Sequence, residues 1–432
     1  MASGPAAAGT RKERKASLLR SAVLSSCSDR PLSDLIAEIS SIDDIHLFDL
    51  LILREIDILE IEQSMSAGGN PKGLLPPRRK GGVDVRTSTH VLAFKENIRP
   101  ISEWIEKQLW SCQSDGADAR IKGKKPQNHI SALATFFPDV TSRSQQPVPL
   151  PDTYLDLKCT PRQLAIQALT NTVELAIELK RRGLIADPCR PSVPSAIVEM
   201  VCGTVLDQCH CQACETDRKN KELDYAVVAT RKEKVRLLGD ALKEVWTALK
   251  GGDKDWALAL ELEPGPTYVL RSLKSIRSVF GHLDQVDREL RQKEKVAYGP
   301  LARHVGLNVD IGHMKIAEVH ARSQEELNEG YPSGLEDFED RIVHAHISDH
   351  PGMHTRDQAV GVWNPVERLD SVDYSYLRLL AQIARDKEPR RTGLPFSGTV
   401  ALELEGCSRI GWIHRSLIAM KHLTEIVEKL PP

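Results

Sequence analysis

Apolar β-type runs that alternate with helical patterns are the feature of this 432-residue chain that most restricts its fold. Eight runs have the length and composition of strands, and they lie near 20–26, 56–64, 129–137, 195–203, 256–263, 305–313, 342–349 and 398–405. Helical patterns separate most of them, and two of these patterns, 161–183 and 234–252, end on glycine, a common helix stop. The alternation predicts βα units around a parallel sheet.

Eight such units in one chain predict a (β/α)8 TIM barrel, an α/β fold. A typical barrel needs about 250 residues, so this chain must carry loop insertions. We expect a disordered N-terminal tail at 1–17 and a single barrel over 18–430, with insertions near 65–128, 140–152 and 206–225. The first insertion contains a further helical pattern, "IRPISEWIEKQLWS".

Composition narrows the classes of partner. A 41% hydrophobic content is ample for a buried core, and a net charge of −2 gives no reason to expect nucleic acid or an anionic membrane as partner. No apolar run approaches the length of a membrane span. The nine cysteines occur without a secretory signal pattern, which predicts a reducing, cytoplasmic location.

The pentapeptide "ALELE" occurs twice, in the fifth and eighth predicted strands. Alternate side chains of a strand share a face, and barrel strands pack their branched residues against the outer helices. The outward residues are therefore Leu258, Leu260 and Leu262 in the fifth strand and Val400, Leu402 and Leu404 in the eighth. The inward rows are Ala257, Ala259, Glu261 and Glu263, and Ala401, Glu403 and Glu405.

The sixth and seventh strands follow the same pattern. Their predicted inward residues are Asn308, Asp310, His344 and His346, and their outward ones are Leu307, Val309, Val343, Ala345 and Ile347. Four neighbouring strands thus send acids or histidines inward near their C-terminal ends, where barrel enzymes have their active sites. Unpaired carboxylates so close together are costly to keep ionised, and a divalent cation removes that cost. The alternative, an ordinary buried salt-bridge cluster, is less favoured across four strands.

These segments resemble those of the xylose isomerase-like TIM-barrel superfamily of sugar isomerases and epimerases. The resemblance is carried by "LALELEPGP" and "VGLNVDIGH", then by "VHAHISDH" and "GTVALELE", and it is clear across about 155–425. It implies one divalent metal ion (Mn, Mg, Co or Zn) held by Glu261, Asp310, His346 and Glu403. The spacings E-x-x-P-G and G-x-x-x-x-E favour Glu261 and Glu403 as ligands over Glu263 and Glu405, but leave the second pair open.

The implied function is isomerisation or epimerisation of a sugar or related polyhydroxy ketone through a metal-stabilised enediolate. Glu261 and Glu403 would act as the acid/base pair, and His313 would contact the substrate or the metal edge. Supporting or substrate-contacting roles are expected for Glu263, Glu405, Asp349, Arg356 and His344. The expected partner is a small sugar-like molecule, without nucleic acid or membrane, and a homo-oligomer is left open.

Three other functions are compatible with the pattern. A dehydratase or lyase acting on a cyclic hydroxy-ketone would use the same barrel and metal ion. An apurinic-site endonuclease is less favoured, because it needs a three-metal cluster with more histidines than "HTRD" and "CGT" supply. A non-catalytic, partner-binding barrel is disfavoured by the full inward set of acids, although a fold does not determine a function.

One further motif, "CHCQAC", places Cys209, Cys211 and Cys214 in the loop after the fourth predicted strand. The C-x-x-C spacing is compatible with a structural zinc ion. No second cysteine pair with matching spacing follows it, so ordinary loop cysteines are the favoured interpretation.

Overall fold

A computed structural model describes residues 19–24, 30–42, 45–69, 73–74, 88–111, 127–142, 161–186, 195–208, 226–250, 252–263, 268–294, 301–314, 333–348, 372–385, 392–403 and 410–429. The strands in these ranges are β1 (Leu19–Val23), β2 (Leu47–Leu51), β3 (His129–Thr135), β4 (Ala196–Val201), β5 (Leu206–Gln208), β6 (Ala226–Val228), β7 (Trp256–Glu261), β8 (Val305–Asp310), β9 (Ile342–Ile347) and β10 (Thr399–Leu402).

Eight of these strands form a closed barrel in the order β1-β10-β9-β8-β7-β4-β3-β2, and all neighbouring pairs in it are parallel. The remaining two, β5 and β6, form a small antiparallel pair beside it. The predicted (β/α)8 fold class is therefore confirmed. In such a barrel the C-terminal ends of all eight strands meet at one face, where the candidate site lies.

Helices occupy the connections between the barrel strands. They are α1 (Leu32–Ser40), α2 (Glu55–Ala67), α3 (Ser88–Leu92), α4 (Ile98–Ser111), α5 (Pro161–Arg181), α6 (Arg231–Leu249), α7 (Leu273–Glu294), α8 (Ser333–Glu336), α9 (Val372–Arg385) and α10 (Ile410–Lys429). Local chemistry sets some of their ends: the Thr230 hydroxyl accepts a hydrogen bond from the Glu233 amide (3.2 Å) at the start of α6, and Gly183, with φ of 73°, follows the end of α5.

Seven of the eight predicted strands coincide with barrel strands, and the second is wrong. Residues 56–64 belong to α2, while the actual second strand, β2, lies in the preceding "IHLFDLLIL". The Asp57 carboxylate accepts a hydrogen bond from the Arg54 amide (2.9 Å), which caps the start of the helix. Ile58 and Ile61, three positions apart, are the apolar residues that α2 buries.

The interior confirms most of the predicted faces. Leu258, Leu260 and Leu262 belong to the large core shared with the helices, whereas Ala257 and Ala259 belong to a small separate cluster inside the barrel. Leu307, Val309, Ala345, Ile347, Val400 and Leu402 also pack in the large outer core, as predicted.

Val343 was predicted to face outward, and this was wrong, because it packs in the inner cluster with Ala257 and Leu394. The register between β8 and β9 shifts there, so that Leu307 pairs with Ile342 but Asn308 pairs with His344. Val343 is the extra residue of this irregularity. Gly306 on β8 leaves the room that Val343 occupies, since a Cβ at Gly306 would collide with the Val343 side chain and the Arg341 carbonyl.

Several sequence predictions fall largely outside the described residues. The tail at 1–17 lies entirely outside them, as do all but 140–142 of the second predicted insertion and all but 206–208 of the third. Within the first, 65–128, the structure places α3 and the predicted helix α4. None of the helices described combines the length and apolar character needed to span a bilayer.

Candidate metal centre

Four side chains meet at the C-terminal ends of four consecutive barrel strands. Glu261 ends β7, Asp310 ends β8, His346 lies near the end of β9, and Glu403 follows β10 directly. Parallel pairing brings them level: Asp310 pairs with His346, and the Glu403 amide donates a hydrogen bond to the Ile347 carbonyl at 3.2 Å. One ligand atom from each of the four lies within 4.8 Å of all the others.

His346 occupies the centre of this group. Its Nδ1 lies 2.9 Å from Glu403 Oε2 and 3.7 Å from Glu261 Oε1. Glu261, Asp310 and His346 are buried, and the Glu403 side chain is 21% exposed. Among the described residues, the cluster is therefore closed on the barrel side, and Glu403 is more exposed than its other three members.

Two carboxylate oxygens in the cluster have no hydrogen-bond partner. Glu261 Oε1 and Asp310 Oδ2 are both buried, and neither makes a hydrogen bond to any residue within the described ranges. Buried acceptors are nearly always satisfied, and a cation bound between these two oxygens would satisfy both. Three carboxylates and one imidazole suit Mn²⁺, Co²⁺ or Zn²⁺, and less well Mg²⁺, which prefers all-oxygen sites.

The charges in the cluster depend on one another. Burial opposes ionisation of Glu261, but the neighbouring imidazoles of His346 and His313 lower the pKa of Glu261 to about 2. For His346, burial disfavours the imidazolium, yet the hydrogen-bonded Glu403 carboxylate and the nearby carboxylates of Asp49 and Glu261 raise its pKa well above the ordinary value. Without a cation, His346 therefore carries the positive charge that balances the carboxylates.

Glu199, on β4, is a further acid beside the cluster, with Oε2 3.8 Å from His346 Nε2. Burial, and next the charge of Glu261, raise the pKa of Glu199 well above its ordinary range. Glu199 is thus held in its protonated form, and its hydrogen bond helps to keep Glu261 ionised.

His313 lies in the helical turn after β8. Its amide donates to Asp310 Oδ1 (2.8 Å), and its ring Nδ1 lies 3.1 Å from the Leu262 carbonyl oxygen, to which it donates. The same nitrogen lies 3.7 Å from Glu261 Oε1 and 3.9 Å from Glu263 Oε2. His313 and Glu263 therefore border the four-residue cluster, and burial raises the pKa of Glu263 well above its usual range.

His344 lies beneath the cluster and not in the barrel mouth. It is fully buried, with Nε2 2.6 Å from Asp49 Oδ2 and Nδ1 2.8 Å from Ser397 Oγ. Although Asp49, His344 and Ser397 form an Asp–His–Ser chain, Ser397 is itself buried, at the opposite end of the barrel from Glu403. The arrangement gives no access to a substrate and is a supporting network, not a nucleophile site.

Asp49 is the residue that sequence reasoning missed. Together with His344 and His346 it forms a second group of ligand-type atoms within 4.8 Å of one another. Its carboxylate already accepts hydrogen bonds from the hydroxyls of Ser21 and Ser131 and from His344. Because these partners satisfy Asp49, the second group is better described as an internal hydrogen-bond network than as a metal site.

Some predicted site residues are not covered. Asp349, Arg356 and Glu405 lie outside the described residues, as do Cys209, Cys211 and Cys214. The choice between the two glutamate pairs therefore has a partial answer: Glu261 and Glu403 belong to the four-residue cluster, and Glu263 lies beside it.

Comparison with known proteins gives matches among solved structures only. Neither the protein-family models nor the curated proteins contain a match. A D-tagatose 3-epimerase-like protein aligns with 95% of this chain and 98% of its own, at 12% identity and a TM-score of 0.45.

Two further structures align at similar levels. The 3-keto-D-glucoside 4-epimerase YcjR from E. coli, in its apo form, covers 94% of this chain and 98% of its own, at 10% identity and a TM-score of 0.42. The IOLI protein with a bound zinc atom covers 95% and 98%, at 14% identity and a TM-score of 0.42. These values are too low to indicate what this chain acts on.

Proposed function

We propose that this protein is a divalent-metal-dependent isomerase or epimerase of a sugar or related polyhydroxy ketone. The observation that carries the proposal is the cluster of Glu261, Asp310, His346 and Glu403, whose ligand atoms lie within 4.8 Å of one another at the C-terminal end of a closed barrel. The unpartnered oxygens of Glu261 and Asp310 are what a cation would satisfy there.

The four residues would hold one ion, with His346 supplying an imidazole nitrogen and the others carboxylate oxygens. Such an ion, when bound, acts as a Lewis acid that stabilises negative charge on the oxygens of a hydroxy-ketone. Among the described residues, the ion-pair partners of Glu261, Asp310 and Glu403 are histidines, and the neighbours Glu199 and Glu263 are further acids.

Proton transfer is assigned to Glu261 and Glu403. They extend from β7 and from the end of β10, two strands that are separated in the barrel by β8 and β9. A substrate carbon between them would lose its proton to one carboxylate and regain a proton from the other, giving an enediolate in between. Return to the opposite face gives epimerisation, and return to the neighbouring carbon gives isomerisation.

His313 is assigned to the substrate. Its Nδ1 is occupied by the Leu262 carbonyl, so a contact with substrate would use Nε2. Glu263 lies at the edge of the same group, 3.9 Å from His313 Nδ1, and would contact a substrate oxygen there. These two side chains would orient the substrate against the acid/base pair.

The proposal is tested by exchange of substrate hydrogen with solvent. The protein, loaded with Mn²⁺, Co²⁺ or Zn²⁺, is incubated in D2O with a panel of ketoses and inososes, and deuterium incorporation next to the carbonyl is followed by NMR. We expect exchange in the wild type, and its loss together with metal binding in Glu261→Gln and Glu403→Gln.

Glu174→Gln is the matched control, because Glu174 pairs with Lys95 on the outside of the barrel (2.6 Å). It should keep both properties. Retention of metal and exchange by either site variant contradicts the assignment, and formation of a dehydrated product identifies a lyase instead.

A further inference from the structure

Asp49 is held rigidly inside the barrel by donors from three strands. The Ser21 hydroxyl on β1 donates to Asp49 Oδ1 at 3.2 Å, and the Ser131 hydroxyl on β3 donates to the same oxygen. His344 Nε2 on β9 donates to Oδ2 at 2.6 Å. Asp49 is fully buried, and although burial opposes its ionisation, His344 and His346 hold its pKa well below the usual range.

The two ring nitrogens of His346 face different groups. Nδ1 points to the cluster, 2.9 Å from Glu403 Oε2 and 3.7 Å from Glu261 Oε1. Nε2 points into the barrel, 3.3 Å from Asp49 Oδ2 and 3.8 Å from Glu199 Oε2, and it is buried without a hydrogen bond to any described residue. The ring of His346 is therefore placed between the candidate metal ligands and a fixed carboxylate.

We propose that Asp49 is a positioning residue: when a metal ion is bound, the Asp49 carboxylate 3.3 Å from His346 Nε2 accepts the proton of that nitrogen and so leaves Nδ1 as the metal-binding nitrogen. This inference rests on the proposed function. A neutral imidazole has one N–H and one lone pair, and the partner of the N–H decides which nitrogen binds the metal. A carboxylate behind a metal-binding histidine fixes the ring and makes it a better ligand.

His344 supports this arrangement from below. It donates to the same Asp49 oxygen that faces His346, and its ring lies edge-on to that of His346 with centroids 5.2 Å apart. Its other nitrogen contacts Ser397 Oγ at 2.8 Å. Asp49 cannot turn away from His346 without breaking these buried contacts, which explains why a charged side chain is kept at this depth.

The test compares Zn²⁺ binding by the full-length, metal-free wild type and Asp49→Asn, using calorimetry. We expect Asp49→Asn to bind Zn²⁺ about 10- to 100-fold more weakly, as is usual for loss of a partner behind a metal ligand.

Asp287→Asn makes the same chemical change at another buried aspartate. Asp287 lies on α7 and accepts the amides of Leu301 (2.7 Å) and Ala302 (2.8 Å), outside the barrel. Because it is remote from the cluster, the affinity of this control should stay within about twofold of wild type even if its stability falls.

A second measurement separates positioning from a merely structural role. In zinc-loaded protein with ¹⁵N-labelled histidine, the His346 resonance, assigned from the His346→Asn spectrum, should show Nδ1 bound to metal and Nε2 protonated. Asp49→Asn should change this signature, whereas Asp287→Asn should not. If Asp49→Asn fails to fold, Ser131→Ala removes one donor to Asp49 and should weaken binding by about fivefold.

The outcomes are distinct. If wild type binds Zn²⁺ and Asp49→Asn binds it equally well through the same ring nitrogen, the role of Asp49 is refuted while the proposed function stands. Unchanged affinity in Ser131→Ala refutes it likewise if Asp49→Asn cannot be studied. If wild type itself binds no metal ion, the proposed function is overturned and the inference falls with it.

Discussion

Metal binding is expected to tighten as the pH rises, because a metal ion has to displace a proton from His346. Burial lowers the pKa of His346, but the hydrogen-bonded Glu403 carboxylate and the nearby carboxylates of Asp49 and Glu261 outweigh it and raise the pKa well above the ordinary value. Below that raised pKa, the imidazolium predominates in the metal-free protein, and proton and metal compete for the same ring.

The magnitude follows from the number of protons displaced. One proton on His346 gives a tenfold gain in affinity per pH unit, so between about pH 6 and pH 7.5 the dissociation constant should fall about 30-fold. Throughout this pH range the affinity for the metal ion should only increase with pH, because raising the pH removes the competing proton. Glu261, whose pKa is lowered to about 2, is already ionised there and adds no slope. Burial raises the pKa of Glu403, and any proton displaced from Glu403 would steepen the gain in the same direction.

The assay is calorimetric titration of metal-free protein with Mn²⁺ across this pH range. Repeating each titration in two buffers of different ionisation enthalpy counts the protons released. We expect about one proton per ion near pH 6. An affinity that does not change with pH, with no proton released, would refute the assignment of His346 as a protonated ligand.

Two further predictions concern stability of the metal-free protein in urea. Glu199→Gln should be more stable than wild type, by a margin that grows as the pH rises above about 4.5. Burial and the charge of Glu261 raise the pKa of Glu199 in the folded protein, so above about pH 4.5 the unfolded chain ionises first and wild type loses stability. A margin that does not change with pH contradicts this. Gly306→Ala should lose about 3 kcal/mol, since its Cβ would collide with Val343 and the fixed Arg341 carbonyl. Gly281→Ala is the control: its Cβ meets nothing within 4 Å, so in helix α7 it should gain up to about 1 kcal/mol, and equal effects at both glycines would contradict the packing argument.

The strand pattern was sufficient to place Glu261 and Glu403 inside the barrel. Glu261 follows Ala257 and Ala259 at alternate positions, and Glu403 follows Ala401, while leucines or valine occupy the other face. The structure puts Ala257 and Ala259 in the inner cluster, and Val400 and the described leucines of the other face in the outer core. Alternation alone could not choose between Glu261 and Glu263, because residues two apart share a face. That choice depends on which of the two glutamates lies level with the ligands on the neighbouring strands, and only the three-dimensional structure shows this.

Asp49 could not be found in the same way. It is a single acid in the apolar run "IHLFDLLIL", and its partner His344 is 295 positions away in the chain. The run contains β2, whereas "IDILEIEQS", which follows it and was predicted as the second strand, lies in α2. Isoleucines two positions apart in this segment are typical of a strand, but Ile58 and Ile61 have the spacing of a helix. The hydrogen bond to Asp57 at the start of α2 favours the helix.

Val343 shows a further limit of sequence reasoning. Strict alternation places it outside, but the irregular pairing of β8 with β9 turns it inward. Nothing in the residues of β9 marks that irregularity. The signal is the glycine at 306 on the neighbouring strand, which leaves room for a side chain from across the pairing.

The most direct test of the central claim is the metal content of the purified full-length protein after incubation with Mn²⁺, Co²⁺ or Zn²⁺ and removal of unbound ions, measured by mass spectrometry of the elements. Because Glu261, Asp310, His346 and Glu403 converge on a single point, the account predicts one divalent ion per chain. A protein that retains none of the three metals, or that retains three zinc ions per chain, would contradict it.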